Sequence, residues 1–256
     1  MGRKKGYSRK SYESARPGRG AHDAYIPLHA SMTNSQEWRA LTGNQRALYF
    51  FCRFQRYDLD RPKPGAAFPL CEEFQRREVF FMNFETVKDE GLYKSRATFY
   101  KDMRALVAGD FLVCLYDGKA RRQKSIYKCS DAWNQDRTAN GDPYTALYKT
   151  MLTSKAWKSL NGNQKELYRF CRAQLYAKKK PPNVKPGKPP FFMNWKIGAA
   201  AGLYATEKTF YKDLDRLVKT GFLDCLYNGL NDRKKSIYEY SDRWQSVGSE
   251  NKEGSL

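Results

Sequence analysis

The sequence predicts a mainly α fold with small β-hairpins, laid down twice by an internal duplication. Three observations predict it: a set of landmarks that recurs in one register, helical apolar periods opened by good capping residues, and paired short apolar runs joined across a glycine turn. Met32, Trp38, Leu41, Gly43-Asn44-Gln45, Leu48, Tyr49, Phe51, Cys52 and Arg53 return as Met151, Trp157, Leu160, Gly162-Asn163-Gln164, Leu167, Tyr168, Phe170, Cys171 and Arg172. After a shortened loop the match resumes. FFMN at Phe80 to Asn83, GLY at Gly91 to Tyr93, TFYKD at Thr98 to Asp102 and KSIY at Lys124 to Tyr127 return from Phe191, Gly202, Thr209 and Lys235.

The repeat divides the chain into residues 25–137 and 138–247, each long enough to bury a core. Residues 1–24 hold seven Lys or Arg against two acids, broken by Gly and Pro, and read as a disordered basic arm. Residues 248–256 read as a flexible tail. Within each repeat, Ser35 or Asn34 caps a short helix carrying Trp38 and Leu41. Gly43-Asn44 then turns into a longer helix whose stripe is Leu48, Phe51, Cys52 and Gln55, spaced i, i+3, i+4, i+7. Prolines at 62, 64 and 69, and at 181, 182, 186, 189 and 190, forbid helix in the loops Asp58–Glu78 and Lys178–Pro190.

Phe80-Phe81-Met82 reads as a short strand. Asn83 caps a helix from Phe84 to Glu90, which Gly91 stops. Ser95 and, in the second repeat, Thr206 cap a third helix running to Val107 or Lys219. Phe111 to Tyr116, a turn at Asp117-Gly118, a basic tip and Ser125 to Cys129 complete a hairpin.

That order of elements is the order of a winged helix-turn-helix. SRATFYKDMRALVAGDFL, Ser95 to Leu112, and TEKTFYKDLDRLVKTGFL, Thr206 to Leu223, resemble the recognition helix and wing entry of bacterial winged-helix regulators and replication initiators. Two such units in one chain resemble plasmid and phage replication initiators of Gram-positive mobile elements. The resemblance implies binding to double-stranded DNA, with replication or host proteins as further partners.

The helix faces bear on that expectation. Phe99, Met103, Leu106 and Val107 form one apolar stripe, matched by Phe210, Leu214, Leu217 and Val218. The opposite face carries Ala97, Thr98, Lys101, Arg104 and Ala105 in one repeat and Lys208, Thr209, Lys212, Asp215 and Arg216 in the other. Tyr100 and Tyr211 sit at the border. Lys119, Arg121, Arg122 and Lys124 crowd the first hairpin tip; Arg233, Lys234 and Lys235 crowd the second. With Ser95, Arg96 and Thr206, and leaving aside Asp215, these polar side chains are the expected DNA contacts, since cations reach phosphates and base edges and small hydroxyls fit close to a backbone.

Charge supports a polyanionic partner. The net +20 divides into +5 for residues 1–24, +5 for 25–137 and +10 for 138–256. Enzymatic chemistry and cofactors are not expected: the only histidines, His22 and His29, form no metal cluster or nickase motif, and no GxxxxGK[ST] occurs. Asp102 and Asp213 read as i,i+4 or wing ion-pair partners. Cys52, Cys171, Cys114 and Cys225 fall in apolar patterns, which predicts buried thiols in a reducing compartment. No membrane span or signal core is legible, so a cytoplasmic protein is expected. Two further readings stay open: a transcriptional regulator, and an interaction module such as a phage-encoded inhibitor of a host nucleoprotein defence complex.

Overall fold

The computed structural model describes residues 25–55, 79–118, 124–130, 143–174, 190–229 and 235–247. The basic arm, the tail, nearly all of both Pro-rich loops and the tip residues Lys119, Arg121, Arg122, Arg233 and Lys234 lie outside them. The first repeat runs β1 (Tyr25–His29), α1 (Ala30–Thr33), α2 (Gln36–Ala40), α3 (Gly43–Gln55), β2 (Val79–Met82), α4 (Phe84–Asp89), α5 (Arg96–Ala108), β3 (Leu112–Tyr116) and β4 (Ser125–Cys129). The second repeats that order: β5 (Tyr144–Tyr148), α6 (Lys149–Leu152), α7 (Lys155–Lys158), α8 (Gly162–Gln174), β6 (Phe191–Met193), α9 (Trp195–Ala200), α10 (Glu207–Lys219), β7 (Leu223–Tyr227) and β8 (Ser236–Tyr240). A short 3-10 turn, Arg243–Gln245, follows.

The expectation of a mainly α fold with small hairpins is wrong. Ten helices and eight strands in three antiparallel sheets, 52% helix and 23% strand, make this a mixed α/β fold among the described residues. Two features account for the difference. Each hairpin is widened to three strands, because β2 pairs with β4 and β6 with β8, giving the orders β2-β4-β3 and β6-β8-β7. The third sheet joins the repeats: β1 pairs antiparallel with β5, Tyr25 opposite Tyr148 and His29 opposite Tyr144. β5 is buried along most of its length without alternation, and β1, in which Ile26 and Leu28 do alternate with more exposed neighbours, contains Pro27, which argues against a strand.

Local chemistry sets the helix ends. Ser35, Asn83, Ser95, Ser154, Asn194 and Thr206 each accept a backbone N–H from the residue three positions on, an arrangement worth about 1 kcal/mol per cap. Gly91 and Gly202 end α4 and α9 at φ of 68° and 69°, where a side chain would be strained. At the end of α5 the chain places Asp110 at φ 57°, whereas the matching position after α10 is Gly221 at 77°.

One continuous apolar cluster draws on both repeats. Trp38 meets Tyr49 and Phe111 edge-on at 5.6 Å each, and Trp157 meets Tyr168 and Phe222 at 5.9 Å each. Between repeats, α3 packs on α8. Their first residues touch so closely that a Cβ on Gly162 would lie 2.6 Å from the Gly43 carbonyl oxygen. Because α3 faces a helix as well as its own sheet, Tyr49 and Phe50 are fully buried, and Phe51, placed on the expected stripe, is only half-buried.

Candidate nucleic-acid interface

Helices α5 and α10 are seated by a polar device common to both repeats. Asp102 accepts hydrogen bonds from the Tyr93 hydroxyl at 2.7 Å and the Gln45 amide at 2.9 Å. Asp213 accepts from Tyr204 at 2.9 Å and Gln164 at 2.8 Å. Both carboxylates are buried, so the expectation of surface ion-pair partners fails. Asp102 lies three residues beyond Phe99 and four before Leu106, on the core stripe itself, where a carboxylate persists only if fully hydrogen-bonded. Burial first, then the neighbouring carboxylate, raises the pKa of the Tyr93 and Tyr204 hydroxyls well above the ordinary tyrosine value.

With that stripe fixed, the outer face is fixed too. Phe99, Met103 and Leu106 are buried, as are Phe210, Leu214 and Leu217, and Val107 and Val218 are half-buried. Ser95, Arg96, Thr98, Tyr100, Lys101 and Arg104 are exposed on α5; Thr206, Lys208, Thr209, Lys212 and Arg216 are exposed on α10, and Tyr211 is half-buried. Lys101, Arg104, Lys208 and Lys212 make no ion pair or hydrogen bond among the described residues. The others are partly committed. Arg96 pairs with Glu85 at 2.7 Å and lies over the Phe84 ring, and Arg216 donates to Ser159 at 3.4 Å. Ser95 and Thr206 serve as caps, with the Thr206 and Thr209 hydroxyls 2.8 Å apart.

The hairpin bases match in detail. Ser125 accepts the Gly118 N–H, and Ser236 the Gly229 N–H, both at 3.1 Å. Each outer strand carries the same register break, between Cys114 and Tyr116 and between Cys225 and Tyr227. Lys124 Nζ lies 5.4 Å from the Phe81 ring centroid and Lys235 Nζ 5.9 Å from that of Phe192. β4 and β8 are therefore each preceded by an exposed lysine held over an aromatic face of the neighbouring strand. Sequence reasoning missed Phe81 and Phe192 as its partners, although the FFMN repeat contained them.

The thiols divide. Cys52 and Cys171 are fully buried, but Cys114 and Cys225 are exposed, because they point outward from edge strands. Among the described residues no group of three His, Cys, Asp or Glu side chains is placed to hold a metal ion. No helix among them is long and apolar enough to cross a membrane. Comparison of the chain with protein-family models, curated proteins and solved structures finds no match.

Proposed function

We propose that the chain binds double-stranded DNA through two winged helix-turn-helix units, presenting α5 and α10 to the duplex, as a replication initiator or replisome organiser of a mobile element. One observation carries the reading. On repeat-related helices, each locked to its core by a buried Asp-Tyr-Gln network, Lys101 and its counterpart Lys212, with Arg104 on α5 and Lys208 on α10, stand exposed with no protein partner among the described residues. Unpaired cations on rigid elements suit phosphate contact, since little side-chain order must be lost elsewhere to make it. The net charge of +20 adds long-range attraction.

Anisotropy titrations of a labelled duplex against the full chain at several salt concentrations test this. Counterion release predicts a log–log slope of about −0.9 per phosphate contacted. Lys101→Ala and Lys212→Ala should each weaken binding to every duplex tested and make the slope shallower by about 0.9. A slope near zero, or unchanged binding in the double variant, would refute DNA binding by these helices and leave an acidic protein as the partner.

A further inference from the structure

The duplication places two equivalent clefts between the repeats, and only one of them is complete. In the first, Glu166 of α8 is buried and meets cations from both halves of the chain. Its carboxylate lies 2.6 Å from Arg169 and 3.6 Å from Arg46, and it accepts the Trp38 indole N–H at 3.2 Å. Arg46 is held further by the Trp38 and Arg39 carbonyls, at 3.0 and 2.9 Å. Leu203 and Phe170 also line this cleft.

The second cleft is lined by the residues in matching positions. Lys165 replaces Arg46, Trp157 replaces Trp38, and Phe51 and Leu92 replace Phe170 and Leu203. The carboxylate is missing, because the position of Glu166 is taken by Ala47 and that of Arg169 by Phe50. Lys165 is nonetheless 2% exposed, and its ammonium has no ion pair or hydrogen bond among the described residues, only the Trp157 ring 5.9 Å away. The Trp157 indole N–H has no acceptor among them either. The other charged groups lining the cleft are Glu90 and Lys158, and these pair with each other at 2.8 Å. The Lys165 ammonium and the Trp157 indole N–H thus give up much of their hydration without a hydrogen-bonded acceptor in return, the nearby Glu90 being engaged by Lys158.

From this we infer that the cleft beside Lys165 is a binding site for a small monocarboxylate with a short apolar tail. Its carboxylate would take the place that Glu166 occupies in the sister cleft, between Lys165 and the Trp157 indole, and its tail would lie against Ala47, Phe50 and Phe54. The class follows from the sister site, where the side-chain atoms that Ala47 lacks are those of a short carboxylic acid. Charge sets the pH range. Burial pulls the Lys165 ammonium down to about 8, although Glu90 opposes the shift. The binding form is therefore fully present below that value and is lost above it.

Sodium butyrate titrated into the full chain, with the Trp157 indole resonance followed by NMR, tests the site. Saturable shifts are expected at pH 7, with affinity falling about tenfold per pH unit above 8. Neutral butyramide and sodium chloride at matched ionic strength should give no saturable shift. Ala47→Glu should abolish butyrate binding and raise the melting temperature, because it supplies the missing carboxylate from within. Lys165→Met should also abolish binding; if that variant does not fold, Ala47→Glu decides alone. Equal binding of butyramide, undiminished binding in folded Ala47→Glu, or no saturable binding at all would overturn the proposal.

Discussion

Asp213 shows how much one buried charge can organise. It is 3% exposed and accepts from both Tyr204 and Gln164, so it ties α10 to α8 and to the loop that follows α9. Removing it leaves two buried donors without an acceptor, each costing about 1–3 kcal/mol. Asp213→Ala should therefore destabilise by about 3 kcal/mol in urea denaturation, and Asp213→Asn by less, since the amide oxygen can still accept. The tyrosine partners give a pH signature. Their folded-state pKa values are raised, so the stability they contribute is fully present below the ordinary tyrosine value of about 10 and is lost as pH rises above it. Lys165 acts in the opposite direction: its folded value is depressed to about 8, so its penalty fades as pH rises from there towards the ordinary lysine value. The Cys52 and Cys171 thiols, raised by burial, also lose stability from about pH 8.5 upward, so the Lys165 contribution is read as the difference between the full chain and Lys165→Met, which should rise between about 8 and 10. Tyr93→Phe with Tyr204→Phe should reduce the fall above about 10 and leave that difference unchanged.

At the scale of elements, what could be read from sequence was whatever announces itself locally. The caps Ser35, Asn83, Ser95 and Thr206, the stops at Gly91 and Gly202, and the apolar stripes of α5 and α10 all depend on neighbours within one turn. The exposed face of the candidate interface followed from those stripes, so its helical residues could be named without a structure. Strands β1 and β5 could not be read, because each exists only through the other, far along the chain. Asp102 and Asp213 were misread for a related reason: their acceptor role depends on Tyr93, Tyr204, Gln45 and Gln164 arriving from other elements. Yet those four residues are kept in both repeats, and an acid on a core stripe with kept Tyr and Gln was a signal available in the sequence. Gly43 and Gly162 carry a similar hidden requirement. Each opens a helix, which favours no glycine in particular, but the two helix starts approach so closely that a side chain cannot fit. Gly162→Ala should force α3 and α8 apart and destabilise by about 1–3 kcal/mol, the range for overpacking. Gly202→Ala, with nothing within 4 Å, serves as a control for backbone strain alone, and calorimetry of the two variants separates the effects.

The whole molecule is tied together more tightly than a duplicated sequence implies. Were the repeats separate bodies, each would complete its own sheets and charges. Instead β1 pairs across the repeats with β5, Glu166 of the second repeat meets Arg46 and Trp38 of the first, and one apolar cluster runs through both. Separating the halves would strip β1 of its pairing with β5 and leave Glu166 without its inter-repeat partners. Breaking a buried ion pair by removing one side costs about 3–5 kcal/mol, a large share of a typical domain's total stability. The two repeats should therefore unfold in one cooperative transition. Trp38 reports on the first repeat, and Trp157, Trp195 and Trp244 report on the second. Urea titrations of two Trp→Phe variants, one retaining Trp38 and the other retaining the second-repeat tryptophans, should give coincident curves once corrected for each variant's calorimetric stability. Separated midpoints would mean that the repeats fold independently. Coincidence would also bear on the proposed DNA binding, because helices held in one cooperative body would meet a duplex at a fixed spacing and gain affinity together.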